Sequence, residues 1–127
     1  MKFDYTITTQ KDFNRAVSTV EEEITKGGFR VLYIHNVQKT LSEKEFSIEP
    51  MKIIEFCNAK SAFTVLEADI KIGLCLPCKI MVYTKNSQNF ISGMLPAILP
   101  QFFPKAQLGT LPKEISMQIK NIINNSK

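Results

Sequence analysis

Three cysteines and one histidine are the residues of this chain whose types could carry chemistry. Cys75 and Cys78 flank Leu76-Pro77 in a C-x-x-C, Cys57 stands immediately before Asn58, and His35 is the only histidine. Three thiols and an imidazole form a donor set suited to tetrahedral zinc, and thiolates also suit copper as a soft ion. The candidate metal ligands are therefore Cys57, Cys75, Cys78 and His35. The spacing is mixed: C-x-x-C is a good half-site, but its usual complement is a second close pair, and here the other donors are single residues. A second chemistry is thiol redox or group transfer. A reactive cysteine gains from a helix N-terminus, whose dipole lowers the thiol pKa. The C-x-x-C runs into KIMVY, which reads as a strand, so the cysteine before a helix is Cys57. That makes Cys57 the candidate nucleophile and Cys78 the candidate resolving thiol. A third reading treats all three as small buried hydrophobes, the commonest place for a free cysteine.

Other arrangements fail. A Cys-His dyad would need His35 beside Cys57 with Asn36 orienting it, and nothing in the spacing requires that. There is no G-x-G-x-x-G, P-loop or G-x-S-x-G. No pair of carboxylates sits within the apolar stretches as a general acid and base.

The chain that must position these groups has 127 residues, 44% apolar and 22% charged. That length matches one domain, residues 1–127, able to fold without disulfide or metal. Net charge is +4, but only two of the sixteen basic residues are arginines, and no three are consecutive. A nucleic-acid partner is not expected, because such proteins gather their basic residues and use arginine for bidentate contacts. No segment approaches the run of about 18 apolar residues that a membrane span needs, so a membrane partner is not expected either. The N-terminus MKFDYTITTQKDF lacks a signal-like apolar core, and an odd number of cysteines fits reduced thiols. A cytoplasmic location is the expectation.

Tyr5 to Thr9 reads as a strand, and Thr9 as the cap of a helix carrying Phe13, Ala16, Val17, Val20 and Ile24 on one face. Gly27-Gly28 ends that helix. Phe29 to Ile34 and Met51 to Cys57 read as strands, with a short polar segment, a turn or two of helix, at Val37 to Glu45. Asn58 caps a helix with Ala59, Ala62, Phe63 and Leu66 on its apolar face. In the apolar run Ile72 to Tyr83, Pro77 allows a clean strand only after itself. Asn86-Ser87-Gln88 is a hairpin turn, and Asn89 to Met94 is the returning strand. LPAILPQFFP is broken by three prolines and reads as a loop or helical turn closing over the core, or else as an exposed partner surface or ligand lid. Pro112 opens a last helix with Ile115, Ile119, Ile122 and Ile123 on one face. The expected class is α+β: a two-layer domain with an antiparallel-rich sheet of about five strands and helices packed on one face.

The stretches FRVLYIHNVQKTLSEK and KIIEFCNAKSAFTVLEADIKIGLCLPCKIMVY, followed by GMLP, resemble the family called domain of unknown function number 302. The resemblance runs from about Phe13 to Pro96. Its most specific part is Cys-Asn-x-Lys at Cys57 to Lys60, then Ile72-Gly73 and Leu-Pro-Cys at Leu76 to Cys78. It implies a small α+β domain that forms a homodimer, with no established activity, and it carries over onto Cys57 and Cys78. Cys75 falls where relatives more often have an aliphatic residue. Asn36 and Leu95 stand where relatives tend to have Asp, so acid-dependent chemistry recedes and a sulfur-based site is favoured. The expected function is binding of a small ligand or a soft metal ion, zinc or copper, in a pocket lined by Cys57, Cys78 and Cys75, with Asn58, Lys60, Asn36 and Pro77 as ligand-binding candidates. The alternatives are the thiol enzyme already described and a dimeric scaffold.

Overall fold

The computed structural model describes residues 2–127. Its first strand, β1 (Asp4–Thr9), leads into helix α1 (Phe13–Lys26). The cap of α1 is Asp12 rather than Thr9: its carboxylate accepts from the Arg15 N–H at 2.8 Å. A capping side chain must stand one residue before the helix to reach its free N–H groups. Thr9 lies too far back, and its hydroxyl accepts from the Lys11 N–H instead. The expected apolar stripe holds, with Ala16, Val17, Val20 and Ile24 all buried.

The chain continues through β2 (Arg30–Asn36), α2 (Val37–Ser42), β3 (Met51–Cys57) and α3 (Ala59–Ala68). A 3-10 segment at Ile70–Cys75 takes up the first part of the apolar run, and β4 (Cys78–Lys85) begins directly after Pro77, as its missing N–H demands. A tight turn at Asn86 and Ser87, both at positive φ, feeds β5 (Gln88–Met94). The Glu49 carboxylate accepts from both turn N–H groups, at 3.0 and 3.3 Å. The proline-rich segment forms a 3-10 turn at Pro96–Ile98 and a short helix α4 (Leu99–Phe102). It buries Leu95, Pro96, Ile98 and Leu99, while Phe102 stays 66% exposed. Helix α5 (Leu111–Asn125) completes the chain.

The five strands form one antiparallel sheet in the order β1-β5-β4-β3-β2. The chain thus has the α+β class expected. One sheet face carries Ile54, Phe56, Ile80, Val82 and Ile91, which form a single core with the buried residues of α1 and with Ile115, Ile119, Ile122 and Ile123 of α5. Gly93 of β5 lets α5 approach: a Cβ there would meet Ile119 and Ile123 at 2.9 and 3.0 Å. Side chains of the alternate parity, among them Ile53, Met81, Tyr83 and Phe90, belong to the other face and are half-buried. Tyr83 and Phe90 stack there with ring centroids 5.1 Å apart.

A second, smaller cluster joins Val65 of α3 to Ile72, Leu99 and Leu108. It corrects the expected face of α3. Phe63 is 65% exposed, and Val65 is the buried residue. Apolar residues occur around more than half of this short helix, and the position of the 3-10 segment and α4 decides which of them is covered.

Candidate functional site

Cys57 is the last residue of β3, Cys75 the last of the 3-10 segment and Cys78 the first of β4. Phe56 pairs with Cys78 across β3 and β4, which brings the end of β3 beside the start of β4. All three cysteines are free and half-buried, and all three line one cavity. Its other walls come from Phe29, from Asn58, Ser61, Ala62 and Val65 at the start of α3, and from Met94, Pro96, Leu99 and Ile115. The cavity is small, about 30 Å³, which is space for roughly one or two waters. It takes the terminal methyl or thiol of a ligand rather than a whole metabolite.

Burial, reinforced by the neighbouring Cys57, pushes the Cys78 thiol up to about 11, against a smaller lowering by Lys79. Desolvation disfavours the thiolate, and a second thiol close by adds to that. Cys78 is therefore a protonated, weakly nucleophilic thiol at neutral pH.

Asn58 lines both the cavity and the surface groove outside it. Its side-chain oxygen accepts from the Ser61 N–H at 3.0 Å, capping α3 as its residue type predicts, and its amide reaches the Gly28 carbonyl at 3.4 Å.

The remaining candidates do not join the cysteines. His35 opposes Ile53 on β3, whereas Cys57 opposes Arg30. Those positions are four residues apart along β3, roughly 13 Å at strand rise. The His35 Nε2 instead lies 3.0 Å from the Thr40 hydroxyl. Asn36 caps α2 by accepting from the Lys39 N–H at 3.0 Å, at the same distant end of the sheet. Lys60 is on the exposed side of α3 and lines an open groove outside the cavity. Pro77 sits between two lining residues, Leu76 and Cys78, without lining the cavity itself. Its carbonyl accepts from the Lys79 ammonium at 3.1 Å.

The four-donor metal set is accordingly corrected. Among the described residues, no group of three or more His, Cys, Asp or Glu side chains is arranged to hold a metal ion. The apolar wall from Met94, Pro96, Leu99 and Ile115 was missed in the sequence. The one signal for it was the apolar LPAIL stretch, read there as closing over the core.

Comparison with known proteins agrees with this fold. The sequence profile of the family described as "Domain of unknown function DUF302" matches residues 5–126. A solved structure, the crystal structure of the uncharacterized conserved protein DUF302 from Bacillus stearothermophilus, superposes with a TM-score of 0.92 at 28% identity, covering 100% of both chains. No curated protein matches the chain. Among the described residues, no helix is long and apolar enough to cross a membrane.

Proposed function

Because the chain belongs to the DUF302 family, described only as a domain of unknown function, its role has to be argued from its own side chains, and we propose that it binds a small ligand whose apolar end enters the cysteine-lined cavity. The observation that carries this reading is the convergence of Cys57, Cys75 and Cys78, from three separate segments, on one cavity with an otherwise apolar wall. Soft sulfur and hydrocarbon surfaces favour an apolar or polarizable group over a hard ion. Asn58 is the polar residue best placed to orient it.

The test is titration of the isotope-labelled protein with 1-butanol, followed by amide NMR. The proposal expects saturable shifts centred on Cys57, Ala62, Val65, Cys75 and Cys78, abolished when Ala62→Leu fills the cavity. Weak shifts scattered over the surface, or shifts indifferent to Ala62→Leu, would overturn it.

A second reading is thiol-based, with Cys57 as nucleophile and Cys78 as resolving thiol. Its support is that Cys57 and Cys78, which end and begin adjacent strands, line one cavity, with Cys57 close enough to raise the Cys78 thiol. The two thiols would give two electrons and two protons to a small disulfide oxidant, which leaves as two thiols. A homodimer belongs to the same proposal, supported by the half-buried aromatic pair Tyr83–Phe90 on the sheet face away from α1 and α5. So does a cytoplasmic location, which suits three free thiols.

A further inference from the structure

A second concavity adjoins the cavity. It is an open groove of about 990 Å³ between the start of α3 and the start of α5. Asn58 and Ser61 line both spaces, so the two meet along the first turn of α3. On the groove side the character changes. Lys60, Thr64, Thr110 and Lys113 present ammonium and hydroxyl groups, and Met117 and Leu108 give it an apolar floor.

The two lysines are exposed. The only salt bridge among the described residues is Lys26–Glu23, so neither Lys60 nor Lys113 is held by a carboxylate. Glu114 is the single acid lining the groove, and it accepts from the Thr110 hydroxyl at 3.3 Å. Two unneutralised ammonium groups beside one occupied carboxylate leave the groove with an excess of positive charge, which attracts an anion.

We infer that the ligand is a small organic anion, with its carboxylate or phosphate head between Lys60 and Lys113 and its short apolar end past Asn58 in the cysteine-lined cavity. This rests on the cavity reading proposed above and adds to it a second half and a ligand class. The volumes agree with the division of roles. The cavity admits only the tip of a hydrocarbon end, which leaves the head group in the open groove. Lys113 enters the site through the fold alone, since it lies on α5, far along the chain from the Cys57–Lys60 stretch.

The experiment compares butyrate, butyl phosphate, 1-butanol and butylammonium by amide NMR on the full chain, in the native protein and in Lys60→Glu/Lys113→Glu. Both substitutions are at exposed positions, and retained peak dispersion checks the fold. The inference expects one or both anions to shift cavity and groove resonances together, at lower concentration than butanol, with butylammonium weakest. Charge reversal should weaken the anions roughly tenfold, the combined scale of two exposed ion pairs, and leave butanol unchanged. Which anion binds tighter assigns the head group. If butanol shifts the cavity but the anions do no better, or ignore the reversal, this inference is overturned while the cavity reading stands. If no compound shifts the cavity, both fall.

Discussion

Cys57, the last residue of β3, and Cys78, the first of the adjacent strand β4, line one cavity. The buried setting of Cys78 has an energetic signature. The Cys78 thiol is raised to about 11 by burial and by Cys57.

That shift makes stability depend on alkaline pH. An exposed cysteine in the unfolded chain ionises near 8.5–9, while folded Cys78 keeps its proton until about pH 11. Between those values the native state binds more protons than the unfolded state, so unfolding becomes easier as pH rises. The Cys78 contribution is complete below about pH 8.5 and is lost on rising toward pH 11, at up to roughly 1.4 kcal/mol per unit. Urea unfolding at pH 8 and pH 10 should show this loss, and Cys78→Ala should reduce it. An equal loss in both proteins would refute the assignment.

Gly93→Ala should destabilise the fold by about 1–3 kcal/mol, the range for forcing extra atoms into a packed core. The added methyl would lie 2.9 Å from Ile119 and 3.0 Å from Ile123. Ile123→Val should recover part of the loss, because it withdraws the Cδ1 methyl that the new Cβ meets. Thermal melts of the two single variants and the pair test this, and strict additivity would argue against the contact.

Much of the fold was readable before any coordinates. The stripe from Ala16 to Ile24, the strand at Met51–Cys57, the Asn58 cap and the break at Pro77 all follow from local rules: helical spacing, capping chemistry and proline's missing donor. The site was readable only in part. Residue type and the family resemblance single out Cys57 and Cys78, but their meeting depends on how several elements pack around one cavity, which is non-local. His35 shows the converse. It lies near the end of β2 as Cys57 ends β3, yet antiparallel pairing points those two strand ends in opposite directions. Lys113 carried no local signal, because a lysine in the first turn of a helix is ordinary.

His35→Ala should accordingly leave the alkylation rates of all three thiols unchanged, since its ring engages Thr40 and not the cysteines. Iodoacetamide labelling with peptide mass mapping decides this. A changed Cys57 rate would restore the imidazole to the site.

Asn58→Ala should cost about 1 kcal/mol as a lost helix cap, and Asn58→Asp should regain most of it through the same bond to the Ser61 N–H. If Asn58 also orients the ligand, Asn58→Asp should recover stability but not butyrate binding, because a carboxylate in the shared wall repels an anion. Recovery of both would make Asn58 a cap and nothing more.

The most direct test of the shared cavity is the reactivity of the three thiols in the folded protein, measured singly and after one is blocked. The account predicts that iodoacetamide reaches the cysteines without unfolding, with Cys78 slow at pH 7.5, and that prior modification of Cys57 with a bulky maleimide slows both Cys75 and Cys78. Thiols that stay inert until the chain unfolds, or that react independently of a blocked Cys57, would contradict it.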